Sequence, residues 1–216
     1  MQGDSYAGYR SKLVEAVRLK GVQDLAVLHA IAEVPRHLFV PRALAGQAYE
    51  DTSLPIGSGQ TISQPSTHAR AIEALRLSGR ERVLEVGTGS GYQTALLARC
   101  AEQVFTVERV AALAEQARSA LARAGITNVS ILVGDGTLGW RAYAPFDAIL
   151  IAAASPSVPQ PLIEQLAPGG RILVPLGDRA SQRLTLVTVG PEGACTYAPL
   201  AEATFVPLRG THGFDD

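Results

Sequence analysis

Apolar positions in the first part of the chain recur at helical spacing. Leu13, Val14, Val17 and Leu19 predict a helix from Tyr9 to Leu19, and Leu25, Leu28, Ile31 and Val34 repeat the pattern from Asp24 to Val34. Pro35 and Pro41 bracket His37 to Val40, and Pro41 suits the first position of a third helical turn. Between Ala48 and Pro65 neither period holds, and Pro55, Gly57, Gly59 and Pro65 interrupt the segment. A long aperiodic loop in a compact domain is usually functional or disordered.

After a helix predicted from Thr67 to Leu77, strand-like and helix-like blocks alternate. Strands are expected at Arg82 to Val86, Gln103 to Val107, Val129 to Val133, Phe146 to Ile151 and Arg171 to Pro175. Helices are expected at Tyr92 to Ala101, Val110 to Ala124 and Pro161 to Leu166. Continuously apolar runs such as Ala148 to Ile151 suit strands buried on both faces. The alternation implies an α/β fold with a mostly parallel sheet and right-handed crossovers. Arg183 to Val189 and Thr204 to Leu208 are expected to close the sheet as two strands, joined by a connection from Gly190 to Ala203 with a Pro191-Glu192-Gly193 turn.

With 216 residues, 47% of them hydrophobic, the chain is long enough for one substantial core and short for two. We expect one structural domain, with residues 1–65 as a helical extension and substrate loop and residues 66–216 as the core. The 19 basic and 20 acidic side chains are interspersed and nearly cancel, so no field suited to nucleic acid is expected. Cys100 and Cys195 lack a CxxC partner and are expected to be reduced thiols. His29, His37 and His212 have no metal-ligand spacing, so no metal is expected. With no run of about 20 apolar residues and no signal-peptide core in the first residues, a cytoplasmic chain independent of membranes is expected.

The first strand ends in Glu85-Val86-Gly87-Thr88-Gly89-Ser90-Gly91, at the position where open parallel sheets bind ligands. A dinucleotide loop requires GxGxxG, but Tyr92 stands where the third glycine would be, and the spacing is GxGxG. That spacing resembles the first motif of the class I methyltransferases, whose cofactor has no pyrophosphate; an ordinary tight turn is the alternative. Gly87, Thr88, Gly89, Ser90 and Gly91 are the candidate cofactor loop. Glu108 ends the second strand, where its carboxylate is suited to two hydrogen bonds from a ribose diol or to capping the next helix. Asp135 and Gly136, at the third strand tip, suit contact with an adenine amino group, or an Asx-turn.

Three further blocks are Ala48 to Asp51, Leu54 to Gly57 and Gly59-Gln60-Thr61-Ile62-Ser63-Gln64-Pro65. Together with Val34-Pro35-Arg36, Phe39 to Pro41, Val133 to Trp140, Ala144 to Ile149 and Phe205 to Leu208, they resemble the protein-L-isoaspartate O-methyltransferases. The resemblance runs from about Lys12 to Gly213. Arg209 departs from it, standing where a small or aliphatic residue is expected. The resemblance implies a class I methyltransferase (Rossmann-like) fold with a seven-stranded sheet and helices on both faces. It implies S-adenosyl-L-methionine as cofactor and methylation of the carboxylate of L-isoaspartyl residues in damaged proteins and peptides. The ester then closes to a succinimide, which initiates repair. Ser63 is implied as the catalytic residue, in a substrate loop containing Ile56, Gly59, Gln60, Thr61 and Ile62.

The chemistry fits, since a carboxylate is ionised near neutral pH and attacks a sulfonium methyl without a general base. Capping the helix after Pro65 is the other role open to Ser63. His68 stays outside the catalytic set, because a lone histidine is more often a surface or satisfied core group. The rival readings are a carboxyl methyltransferase of a dedicated peptide, a non-catalytic S-adenosylmethionine-binding module and an NAD-dependent oxidoreductase. A monomer is expected.

Overall fold

The computed structural model describes residues 6–190 and 194–215. The chain opens with helices α1 (Ala7–Leu19) and α2 (Leu25–Glu33). Asp24 caps α2, its side chain accepting from the amides of Ala26 and Val27. Single 3₁₀ turns follow at Arg36–Phe39 and Arg42–Gln47, the second starting directly after Pro41. The segment expected to be aperiodic contains a small hairpin, β1 (Leu54–Gly57) and β2 (Gln60–Ile62). Its turn places Gly57, Ser58 and Gly59 at φ of 91°, 51° and 68°. Strands of four and three residues are too short to impose a detectable alternation.

Helix α3 (Pro65–Leu75) leads into the alternating part: β3 (Arg82–Val86), α4 (Tyr92–Cys100), β4 (Gln103–Glu108), α5 (Ala111–Arg123), β5 (Val129–Val133), β6 (Phe146–Ile151) and α6 (Gln160–Ile163). The chain then forms β7 (Leu166–Gly177), β8 (Gln182–Val189) and β9 (Cys195–Ala203). The seven-stranded sheet has the order β5-β4-β3-β6-β7-β8-β9. Its β5 to β7 pairings are parallel, and β7-β8 and β8-β9 are antiparallel.

One closing strand differs from expectation. Thr204 to Leu208 is not the last strand; β9 lies within the presumed connection, and Pro207 instead forms an isolated bridge to Ala154. The physical reason is that β9 is an edge strand, exposed along nearly its whole length, so backbone pairing with β8 defines it without an apolar face. The Pro191-Glu192-Gly193 turn lies outside the described residues.

Burial follows the two-residue period of the strands. Val83, Val104, Ala148 and Leu150 point into a cluster with Leu13, Ile31, Ile72, Leu96 and Leu113 from α1 to α5. Their neighbours Leu84, Val86, Phe105, Val107, Ile149 and Ile151 point to the other face, against Leu162 of α6 and the half-buried Trp140. Helices thus cover both faces, while the strand tips between them stay open. The order reverses between β3 and β6, and this opening is where a ligand of such a sheet binds.

Candidate active site

The cleft over these tips encloses about 940 Å³ of space, part of it open to solvent. Its floor is the β3–α4 loop, with Gly87, Thr88, Gly89 and Ser90. The Gly87 amide donates to the Val107 carbonyl at 2.9 Å, tying the loop to the neighbouring strand. Gly91 does not line the cleft. It has φ of 84°, and a Cβ there would stand 3.1 Å from the Cβ of Ala117, so this glycine lets α4 start hard against α5.

Glu108 is buried at the tip of β4. Its Oε2 accepts from the Gly89 amide at 2.8 Å and its Oε1 from the Val110 amide at 2.9 Å. The carboxylate is thus fixed in direction, and each oxygen keeps a lone pair for a ligand. Capping therefore does not use up the carboxylate's capacity to accept further hydrogen bonds.

Asp135 is brought elsewhere. It is absent from the cleft lining, and its four lone-pair positions are filled. Oδ1 accepts from the amide and hydroxyl of Thr137, and Oδ2 from the amide and hydroxyl of Thr211. These bonds hold its pKa below the usual carboxylate range against the opposing effect of burial, the largest single influence. An adenine amino group would have to displace one of them, so the Asx-turn role is the one the geometry offers. Gly136 does line the cleft; a Cβ there would lie 2.5 Å from the Val86 Cγ1, so only glycine fits beneath the cleft wall.

Across the cleft lies the hairpin segment, contributing Ile56, Gln60, Thr61, Ile62 and Ser63. Gly59 is not in the lining; it forms the hairpin turn at φ of 68°. Ser63 does not cap α3. Asp51 Oδ1 accepts from the Ser66 amide at 2.8 Å, and Gln64 is the residue before the first turn. Lys20 Nζ lies 2.5 Å from Asp51 Oδ2 and holds this cap in place. The segment hangs on Arg36, which is fully buried. Its two terminal nitrogens donate to the carbonyls of Ala48, Glu50, Thr52 and Ser63 at 2.7 to 3.2 Å.

Two side chains outside the expected set also line the cleft. His68 and Gln93 are both buried, with His68 Nδ1 2.5 Å from Gln93 Oε1. The Ser63 backbone also faces the ring, so the nitrogen that carries the proton is set by which way the Gln93 amide is turned. Neither His68 Nε2 nor Gln93 Nε2 has a hydrogen-bond partner in the structure. Burial is the main force pushing His68 down to about 4, so the ring is neutral near pH 7. Sequence spacing alone gives no sign of this, because the pair is made by packing α3 against α4. Val86, Val107, Val110, Leu113 and Leu208 supply apolar walls, and Phe205 and Arg209 border the opening. Among the described residues, no group of three His, Cys, Asp or Glu side chains is arranged to hold a metal ion.

Apolar walls, a fixed carboxylate and a glycine floor suit an adenosine, the walls for the base and Glu108 for the ribose diol. Comparison with known proteins gives this site its family. The family model described as Protein-L-isoaspartate(D-aspartate) O-methyltransferase (PCMT) matches residues 8–213. The chain belongs to the protein-L-isoaspartate O-methyltransferase family. A family member from Geobacter metallireducens is 50% identical over 206 residues, covering 95% of each chain. Another, from Methanoculleus marisnigri, is 50% identical over 215 residues, covering 99% of this chain and 97% of the relative. Among solved structures, a protein-L-isoaspartate O-methyltransferase superposes with a TM-score of 0.84 at 30% identity, over 94% of this chain and 67% of that one. A family structure from Plasmodium falciparum, in complex with S-adenosyl-L-homocysteine, gives a TM-score of 0.80 at 26% identity, over 93% of this chain and 98% of that one.

Proposed function

We infer that this chain transfers the methyl group of S-adenosylmethionine to the α-carboxylate of L-isoaspartyl residues in damaged proteins and peptides. The main-chain nitrogen that follows then attacks the ester carbonyl and expels methanol, closing a succinimide without further catalysis, and water opens this ring in part to normal aspartate. The observation that carries the site reading is that Glu108 and Ser63 line one cleft. One belongs to a sheet tip suited to a ribose and the other to a loop suited to a carboxylate.

When bound, S-adenosylmethionine supplies a methyl group on a positively charged sulfur. Glu108 would accept from the ribose hydroxyls, the Gly87 to Ser90 loop would hold the methionine side, and Val86, Val107 and Leu113, which line the cleft with Gly136, would take the base. The substrate carboxylate is ionised at neutral pH, so the chain has no proton to remove. Its task is orientation and dehydration. We assign the Ser63 hydroxyl, with amides of the loop from Gly59 to Ser63, to hold one carboxylate oxygen so that the other faces the methyl. Such orientation contributes up to about 7–11 kcal/mol in favourable systems. Ile56 and Ile62, both buried, exclude water from that side.

We further propose that the protein acts as a monomer in the cytoplasm, without nucleic acid or a membrane. The balanced charge of 19 basic and 20 acidic side chains supports this. Among the described residues, no helix is long and apolar enough to cross a membrane.

The deciding assay is transfer of labelled methyl from S-adenosylmethionine to two peptides identical except for isoaspartate or aspartate at one position. Label is expected on the isoaspartyl peptide and at most in traces on the other. Equal labelling of both, or of neither, removes the proposal.

A further inference from the structure

Glu85 is a buried acid that the mechanism above does not use. It stands one residue before the end of β3, fully buried and outside the lining of the cleft. Val83 along the strand and Leu150 across on β6 make its face of the sheet apolar. Thr106, opposite it on β4, and Thr94 of α4 donate to its Oε2 at 2.7 and 2.5 Å, while its Oε1 has no hydrogen-bond partner in the structure. Thr106 Oγ1 also lies 2.7 Å from Thr88 Oγ1, and since the Thr106 proton is given to Glu85, Thr88 is the donor of that pair. Thr88 lines the cleft. Two hydroxyls thus connect the cleft to a carboxyl group behind its floor. The charged group that acts on Glu85 is Glu108 of β4; Thr94 on α4 and Leu150 on β6 are neutral.

The cleft has to admit a cation and release a neutral molecule. S-adenosylmethionine carries a positive sulfur, whereas S-adenosylhomocysteine, left after methyl transfer, carries an uncharged thioether, and their amino-acid ends are the same. We propose that Glu85 tells the two apart by charge, ionising when the sulfonium binds and regaining its proton once the methyl group has left, a role that rests on the cofactor reading above and not on the identity of the methyl acceptor.

On binding, the O–H bond of the Glu85 carboxyl group breaks, the electron pair stays on the carboxylate and the proton passes to solvent. Methyl transfer removes the charge from the sulfur, and the carboxylate, now buried without a countercharge, takes a proton back from solvent. The anion therefore holds the methyl donor and not the product. Burial raises the value for Glu85 to about 8, so near pH 7 the proton is present before the cofactor arrives. A ligand that favours the ionised form binds more tightly as pH rises toward that value, and a neutral one does not.

Calorimetric titration of both compounds into the wild type, Glu85→Gln and Thr106→Val tests this. For the wild type, the ratio of dissociation constants, S-adenosylhomocysteine over S-adenosylmethionine, is expected to rise about fivefold or more between pH 6 and 8. Near pH 7, in buffers of different ionisation enthalpy, the wild type is expected to release about half a proton or more per S-adenosylmethionine beyond what Glu85→Gln releases. Glu85→Gln keeps an acceptor for both threonines, and its ratio should stay level. Thr106→Val removes one bond to the ionised form, so its rise should begin at higher pH. Titration of the cofactors' own amino groups is common to all three proteins and leaves the differences between them untouched. A wild-type ratio that is flat over the interval, or a Glu85→Gln ratio that climbs with it, overturns the role of Glu85 while leaving the methylation reading intact. A wild type that binds neither compound overturns the reading of the cleft itself.

Discussion

Ser63 is held by its backbone and left open at its side chain: its carbonyl accepts from Arg36 at 3.1 Å, while Asp51 takes the helix-capping duty that a serine before α3 would otherwise perform. A hydroxyl relieved of a structural task is available to a substrate. Ser63→Ala is therefore expected to lower kcat/KM on an isoaspartyl peptide by about 10- to 100-fold, the range for a hydrogen bond to a charged group. The dissociation constant for S-adenosylmethionine, read by calorimetry, should change less than about twofold, since the adenosine side of the cleft lies with Glu108; undiminished turnover would take the role from Ser63. The place of the glycine loop was legible in the sequence because its glycines coincide with a strand tip, whereas Ser63 is singled out by the family resemblance alone and its catalytic role is the proposal made above. The saturation of Asp135 was not legible, since Thr137 takes one of its oxygens and Thr211, 76 positions away, takes the other. Sequence spacing does not single out His68, because its bond to Gln93 joins residues 25 positions apart.

The segment from Ala48 to Ser63 keeps its shape through an arginine that comes before it in the chain. Arg36 lies in a 3₁₀ turn, and burial lowers its pKa, opposed by Tyr92, Asp51 and Tyr49. Its planar fork serves four carbonyls that no regular ladder satisfies. A lysine ammonium in its place cannot span four acceptors arranged around a plane, so Arg36→Lys is expected to cost about 2–4 kcal/mol of stability from unsatisfied buried carbonyls. Urea unfolding measures this, and an unchanged midpoint would show that the carbonyls find other partners. The element pattern of the sheet was readable up to β8 because most of those strands are buried, although the helix expected to reach Leu166 ends at Ile163 and Leu166 already belongs to β7. The hairpin β1–β2 and the edge strand β9 were not, because backbone partners define them and apolar faces do not.

At the scale of the whole molecule, two buried groups set how stability varies with pH, and they act in opposite senses. His68 is neutral in the fold, its pKa pushed from 6.5 to about 4 by burial, so its contribution is present above pH 6.5 and is lost as pH falls toward 4. Glu85 lies beneath the glycine loop, where Thr94 and Thr106 both donate to its Oε2. Burial raises it from 4.5 to about 8, so the folded state holds a proton that the unfolded chain releases; this contribution is present below pH 4.5 and is lost as pH rises toward 8. Between pH 4.5 and 6.5 the two slopes offset each other. Above pH 6.5 only Glu85 still acts, and the remaining 1.5 units up to its folded value correspond to about 2 kcal/mol. For a domain of this size that is a fall in Tm of about 4–8 °C between pH 6.5 and 8. Glu85→Gln keeps an acceptor for both threonines and carries no titrating proton, so its Tm should stay level over the same interval and exceed that of the wild type at pH 8. Scanning calorimetry of both proteins at the two pH values decides the matter: a wild type whose Tm is flat, or a variant that falls in parallel with it, would mean that Glu85 does not hold its proton in the fold.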